Sequence, residues 1–488
     1  MVSIVRRFLL FYLYIVGISL CVPLSVVIWW IRRKFDEKSV AGDKQLDFLT
    51  IMLVVILHPE QWNGGSDRCT LGMIKHFVEL GHRVIWYTTM IDCYWSTESF
   101  DHVEIRDVNL PLHPGDWWTQ NVVLALQLIF SDLIPDLIII DHSASTIEYR
   151  NLTLIDTMHK LEMFNSCLPM LKWRFPKVKI LFYCHFPQQL VIPTRFFLYR
   201  WYSRIVGLIE GLLFQKADII MVNSHFTEKQ FLRVMPEVNP SRLMVVYPPC
   251  NVDAIKTGDN PVSRKQCQYN NKRYTFLSMN RFWPEKKLDI IVKAAALLKR
   301  SRKMRPRIML AGSVMPYIPE SRIYYNLLKK MVQDLEVDDI VEFVPSPTDS
   351  EKFALYRECD TVLYTPQNEH FGIVPIEALE QRRPVIVCNS GGPAETVIEG
   401  ITGSKIAAPD GKLLAAAMEE HMKRTSWPAL DNDDIYEHQR KRFEQYFSLN
   451  GFCRRINDAL AVLFPDDPII ASNTLLLENE DKNFFKCQ

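Results

Sequence analysis

The chain has 488 residues, 48% hydrophobic and 23% charged, with only 18 Gly and 28 Pro; it is neither disordered nor collagenous and is too long for one ordinary domain. Lys plus Arg (57) nearly cancel Asp plus Glu (56), which leaves no global basic field to hold nucleic acid. The 11 Cys are odd in number and form no C-x-x-C pair, which argues against a disulfide framework or a zinc cage and for a reducing compartment.

The run Phe8–Ile31 carries no charge and, at about 1.5 Å per residue, is long enough to span a hydrocarbon core of roughly 30 Å. It ends in Trp29-Trp30-Ile31-Arg32-Arg33-Lys34 rather than in a small-residue cleavage site, so residues 1–34 read as a retained transmembrane anchor. The cations after the span exceed Arg6 and Arg7 before it, which predicts a single-pass protein with a cytosolic body. There the sequon at Asn151 would stay unglycosylated.

Residues 35–47 form a polar linker. Short apolar runs then alternate with amphipathic ones, the pattern of parallel α/β sheets. Over residues 48–260 strands are predicted at Phe48–Leu57, Arg83–Thr88, Leu137–Asp141, Lys179–Cys184, Asp218–Asn223 and Leu243–Tyr247, with helices such as Cys69–Leu80 and Arg195–Lys216. The apolar stretch Val122–Ile140 contains Asp132, Pro135 and Asp136, so it reads as a buried helix followed by a strand, not a second span. A linker over 261–273 precedes a second series, residues 274–438, with strands at Tyr274–Met279, Arg307–Ala311, Ile340–Phe343, Thr361–Tyr364 and Pro384–Cys388. Residues 439–465 read as a C-terminal helix and 466–488 as a loose tail. The fold class is α/β: two doubly wound, Rossmann-like domains facing a cleft beyond the carboxyl ends of their strands.

Chemistry concentrates at those strand ends. After the strand ending at Tyr364 comes a loop with Glu369, then a helix opening near Gly372-Ile373, where a phosphate could meet free N–H groups. Glu369 and Glu377 could both accept hydroxyls there. Arg281 and Lys286, just past the first strand of the second series, suit a diphosphate; read alone, they are equally a solvated helix cap. Gly64 and Gly65 follow the first strand as either a turn or an acceptor or phosphate loop, together with Asp67. His185 ends another strand and, read alone, is more often structural than a cleft residue. Asn389-Ser390-Gly391-Gly392-Pro393 is a tight turn or part of a donor pocket. No G-x-G-x-x-G is present, which disfavours a dehydrogenase. Asp431-Asn432-Asp433 lies far from these motifs and reads as solvated surface, so no metal site is expected.

Through Glu369-x7-Glu377 and Arg281-x4-Lys286 the sequence resembles glycosyltransferase family 4, retaining enzymes of the GT-B fold. Ile180 through Pro187, Val222-Asn223-Ser224 and Tyr364-Thr365-Pro366 make it similar, within that family, to the α-1,3/1,6-mannosyltransferases of the dolichol-linked, asparagine-linked glycosylation pathway. The resemblance implies a GDP-mannose donor as substrate with no cofactor, a dolichyl-diphosphate oligosaccharide acceptor, the lipid bilayer of the endoplasmic reticulum, and room for other transferases of the pathway as partners. By position it gives Glu369 to the mannose, Glu377 to the ribose, Arg281 and Lys286 to the diphosphate, and His185 to the reacting sugar. Where the family usually has Gly-Gly-Ala-Glu-Arg, this chain has Gly64-Gly65-Ser66-Asp67-Arg68, a shorter acid. Two alternatives stand beside this reading: a related family 4 transferase with another donor or lipid acceptor, and an inactive membrane scaffold of the same fold.

Overall fold

The computed structural model describes residues 51–61, 65–91, 102–108, 117–142, 167–185, 211–250, 273–301, 305–315, 319–424 and 426–465. The expected anchor at Phe8–Ile31, the linker 35–47, Gly64, Asn151, the linker up to 272 and the tail from 466 lie outside them. Among the described residues no helix is long and apolar enough to cross a membrane.

In the first domain the strands are β1 (Leu53–Leu57), β2 (Arg83–Thr88), β3 (Val103–Asp107), β4 (Leu137–His142), β5 (Lys179–Cys184), β6 (Ile219–Val222) and β7 (Leu243–Val245). They form one all-parallel sheet in the order β3-β2-β1-β4-β5-β6-β7. Helices α1 (Gly65–Glu79), α2 (Trp117–Phe130), α3 (Cys167–Arg174) and α4 (His225–Val234) cover its faces. A short parallel pair, Glu60–Gln61 with Met90–Ile91, sits beside it.

The second sheet repeats the plan with β8 (Thr275–Met279), β9 (Arg307–Gly312), β10 (Val341–Pro345), β11 (Thr361–Tyr364), β12 (Val385–Cys388) and β13 (Gly403–Ile406), in the order β10-β9-β8-β11-β12-β13. Its helices are α5 (Leu288–Arg300), α6 (Pro319–Asp334), α7 (Asp349–Glu358), α8 (Ile373–Glu380), α9 (Pro393–Thr396) and α10 (Gly411–Lys423), followed by α11 (Asp433–Tyr446) and α12 (Leu449–Leu463). In each sheet the strand order reverses beside the first strand, between β1 and β4 and between β8 and β11. That is the switch point where such sheets open a crevice.

The near-continuous Val, Ile and Leu of the central strands are buried on both sheet faces, as parallel pairing requires. Within the two large sheets, the strands missing from the sequence reading, β3 and β13, are both sheet edges. Val103-Glu104-Ile105-Arg106-Asp107 alternates apolar with charged residues and is half-buried, so it lacks the continuous apolar run that marks a central strand. The Val122–Ile140 stretch is a helix and then a strand, as expected.

Two expected elements differ. Helix α1 starts at Gly65 rather than Cys69, so Asp67 and Arg68 belong to its first turn. The expected helix at 439–465 is broken at Phe447-Ser448. Phe447 closes α11, and the Ser448 hydroxyl accepts from the Gly451 N–H at 3.0 Å to start α12. The break lets the two helices serve different domains. Helix α11 packs on the second domain, where Arg440 pairs with Glu380 and the Tyr436 hydroxyl donates to the Glu380 carbonyl at 3.3 Å. Helix α12 returns to the first, where Phe452, Ile456, Ala459, Leu460 and Leu463, spaced along one helical face, join Met52, Met73 and Phe77. Between the domains Cys250, Phe371, Ile376, Phe443, Tyr446 and Phe447 make a small apolar seam.

Candidate active site

On the second domain, the loops after β8 and β11 meet at the switch point. The Thr365 hydroxyl donates to the Lys286 carbonyl at 2.7 Å, tying one loop to the other. The Lys286 ammonium pairs with the Glu369 carboxylate and stands 5.9 Å over the Tyr364 ring. Burial alone pushes the Glu369 carboxyl up, but Lys286, with His370 and Arg281 near it, outweighs burial and holds it at about 2. Arg281 is exposed at the mouth.

Gly372 caps α8 with φ +80°, and a Cβ there would meet Pro393 Cγ at 2.9 Å. Only glycine fits both the left-handed backbone and the close neighbour. Because position 375 is proline, Ile373 and Val374 supply the first-turn N–H groups, which have no intrahelical acceptor. The Asn389–Pro393 string supports this loop: the Gly392 N–H donates to the Glu369 carbonyl at 2.8 Å, and a Cβ on Gly391 would lie 2.2 Å from that same oxygen.

Glu377 does not share the open mouth with Glu369. It is 1% exposed, receiving Lys352 Nζ at 2.5 Å and the Tyr356 hydroxyl at 2.9 Å, with Arg68 of the first domain at 4.0 Å. A carboxylate keeps lone pairs for a further donor, but a sugar hydroxyl reaching it competes with these groups.

On the first domain, sheet register assembles the site. Leu57 pairs with Ile140, which sets His58 level with Asp141, and Asp141 pairs with Tyr183, two residues before His185, so the three gather at the ends of neighbouring strands β1, β4 and β5. Adjacent strands lie about 4.8 Å apart, within side-chain reach. His185 Nε2 is 2.8 Å from Asp141 Oδ1, His58 Nδ1 is 3.4 Å from Asp141 Oδ2, and His58 Nε2 is 3.4 Å from Asp67 Oδ1. The Thr70 hydroxyl, one turn of α1 past Asp67, also donates to Asp141. Asn223 Nδ2 donates to the His185 carbonyl at 2.8 Å. His58 and Asp141 are 0% exposed. Burial works against charge on His58, yet the two carboxylates raise it to about 10, and the two histidines hold Asp141 well below the usual carboxylate range. Of the expected acceptor loop, Gly65 is the first residue of α1 and Asp67 is 2% exposed, turned inward to His58.

Two polar contacts hold the faces together. Ser224 Oγ donates to the His370 carbonyl at 2.5 Å, and Glu395 of α9 accepts the N–H groups of His225 (3.2 Å) and Phe226 (2.5 Å) at the start of α4. His370 thus lies between the domains. Burial, with Lys286 and His185 nearby, lowers it to about 4 in spite of Glu369.

Asp141, His58, Glu395 and His370 were not singled out by sequence reasoning. The signal available was position: His58 and Asp141 sit at the carboxyl ends of predicted strands, as His185 does. Asp431, Asn432 and Asp433 are used locally: Asp431 accepts from Trp427 N at 2.6 Å, Asn432 caps α11, and Asp433 pairs with Arg382 at 3.0 Å. Among the described residues no group of three or more His, Cys, Asp or Glu is arranged to hold a metal ion. The mouth can bind an anionic leaving group through two cations and a helix start, and hydroxyls through carboxylate and imidazole.

The profile of the family described as Glycosyltransferase Family 4 matches residues 63–254, and that of Glycosyl transferases group 1 matches residues 259–442. The human alpha-1,3/1,6-mannosyltransferase ALG2 is 30% identical over 400 residues, covering 77% of this chain and 88% of that protein. ALG2 of Rhizomucor pusillus is 29% identical over 449 residues, covering 85% and 92%. Among solved structures, the sucrose-phosphate synthase of Thermosynechococcus elongatus superposes with a TM-score of 0.65 at 17% identity, over 85% of this chain and all (100%) of that one. Anabaena Alr3699/HepE, solved with UDP-glucose, gives 0.60 at 18% identity over 84% and 99%. These two likenesses establish the GT-B fold.

Proposed function

Since the chain belongs to glycosyltransferase family 4, the family of the ALG2 mannosyltransferases, we propose that it transfers mannose from GDP-mannose to a dolichyl-diphosphate-linked oligosaccharide, first in α-1,3 and then in α-1,6 linkage. The observation that carries the reading is convergence: Arg281, Lys286, Glu369 and the start of α8 surround one mouth of the second domain, and His185 faces it from the first.

In this reading Arg281, Lys286 and the N–H groups of Ile373 and Val374 bind the diphosphate and stabilise it as it leaves. Glu369 accepts hydroxyls of the mannose, Glu377 those of the ribose, and His185 contacts the reacting sugar. The bond from the anomeric carbon to the diphosphate breaks while the acceptor oxygen bonds on the same face, and the acceptor proton passes to a phosphate oxygen. The balance requires neither a cofactor nor a metal. The apolar run Phe8–Ile31 anchors the protein in the endoplasmic reticulum membrane with its body in the cytosol, where other transferases of the pathway are its neighbours.

The test is transfer from GDP-mannose to a synthetic lipid-diphosphate acceptor. We expect turnover, and a loss in Glu369→Gln that falls on kcat more than on donor affinity, because that carboxylate meets hydroxyls polarised as the sugar becomes cationic. Turnover with UDP-glucose and none with GDP-mannose would overturn the donor, and full activity of Glu369→Gln would overturn the site.

A further inference from the structure

We propose that Asp141 is a positioning residue for His185, and that the inward-turned pair His58 and Asp67 exists to hold Asp141 in place. The proposal rests on the reading above that His185 contacts the reacting sugar. Asp141 is wholly buried, so it has no access to a substrate and acts only through its neighbours. Its Oδ1 lies 2.8 Å from His185 Nε2, and its Oδ2 receives the Thr70 hydroxyl and faces His58 Nδ1 at 3.4 Å. An ionised carboxylate only accepts, so Nε2 of His185 carries the proton and Nδ1 is left as the acceptor for a substrate hydroxyl. The Asn223 amide fixes the His185 carbonyl at 2.8 Å, so ring and backbone are both oriented.

A carboxylate sealed from water costs several kcal/mol unless it is paired. His58 supplies that pairing. It makes no well-aligned hydrogen bond at Nδ1, so its hold on Asp141 is one of charge, and Asp67 on its other side keeps that charge in place. The order is Asp67, His58, Asp141, His185, running from the first turn of α1 to the mouth of the cleft. This also accounts for the shorter acid at position 67: its partner is an imidazole 3.4 Å away inside the domain, not a sugar in the cleft.

The test is a double-mutant cycle on the full-length protein with GDP-mannose and the lipid-diphosphate acceptor, with a thermal melt of every variant. His185→Ala alone should cut kcat; if it does not, the reading of His185 falls, independently of this proposal. Given that loss, we expect Asp141→Asn to lower kcat about tenfold to a hundredfold, by analogy with the range for hydrogen-bond partners of metal-bound histidines, with the donor KM unchanged. In the His185→Ala background the same substitution should cost nothing further. Losses that multiply, or full kcat in Asp141→Asn, overturn the proposal. If Asp141→Asn does not fold, Asp67→Asn carries the same cycle: a loss that vanishes in the His185→Ala background supports the chain of contacts, and a loss that persists there refutes it.

Discussion

The two faces of the cleft are charged by opposite strategies. On the first domain, Asp67, His58 and Asp141 are sealed and spend their charges on one another, leaving His185 at the edge. On the second, Lys286 and Glu369 are paired but keep 15% and 20% of their side chains exposed, beside an exposed Arg281 and a helix start. One face is preorganised and the other exchangeable. A diphosphate can draw Lys286 away from Glu369 and free the carboxylate for hydroxyls, whereas no ligand reaches Asp141.

The largest break in this comparison should come from deleting one charge on each side. His58→Ala leaves two buried carboxylates facing each other, and we expect a loss of about 3–5 kcal/mol of stability, read by denaturant unfolding. Lys286→Ala should cost less stability, because Glu369 keeps a fifth of its side chain exposed and can turn to water, but should lower turnover at least about tenfold by forfeiting a charge-assisted hydrogen bond of roughly 1.5–3 kcal/mol to the donor. Calorimetry should show weakened GDP binding. Equal melting temperatures for the two variants would erase the distinction.

A smaller effect sharpens it with pH. His58 is raised in the folded state to about 10, so its contribution is complete below its unfolded value near 6.5 and fades as pH rises toward 10. Glu369 is depressed to about 2, so its contribution is complete above its unfolded value near 4.3 and fades as pH falls toward 2. Only the first domain's face should fail in alkali, through His58; acid should weaken both, the second through Glu369 and the first through Asp141, which is also held below the usual carboxylate range. His58→Gln should flatten the alkaline limb of a stability profile and Glu369→Gln the acid limb; the reverse pattern would contradict both assignments.

The smallest effect concerns the join. The His225 and Phe226 N–H groups donate to separate oxygens of Glu395, so Glu395→Gln keeps an acceptor for only one of them and removes charge from the start of α4, the charge being worth about 0.3–1 kcal/mol and the lost hydrogen bond about 0.5–1.5 kcal/mol. We expect a donor KM raised by no more than about fivefold with kcat intact. Small-angle scattering should show a slightly more open particle.

The same contrast decides what could be read from the sequence. The exchangeable face is built from short strand–loop–helix segments, so Glu369, Gly372 and Glu377 announce themselves within a single stretch of chain. What it hid was local too: Glu377 lies on the second turn of α8, against Lys352 and Tyr356 of α7, which no spacing reveals. The sealed face gathers residues 58, 67, 141 and 185; only sheet register brings 58, 141 and 185 together, and the start of α1 adds 67. Each alone reads as an ordinary strand end or helix start. The core strands were legible for the converse reason: burial on both faces writes a continuous apolar run, and the edges β3 and β13 lack it.

Helix α12 carries a consequence for biosynthesis. Its Phe452, Ile456 and Leu460 complete a core whose other walls, Met52, Met73 and Phe77, leave the ribosome roughly 400 residues earlier. The last strands of that domain emerge near residue 246, about 200 residues before α12 is complete, so at about 5–20 residues per second the first domain waits roughly 10–40 s with that groove uncovered. The nascent chain therefore leaves that apolar surface uncovered until synthesis passes residue 463. Of separately expressed halves cut in the 261–273 linker, the first would lack its lid, and the second would carry a helix whose apolar face has nothing to cover.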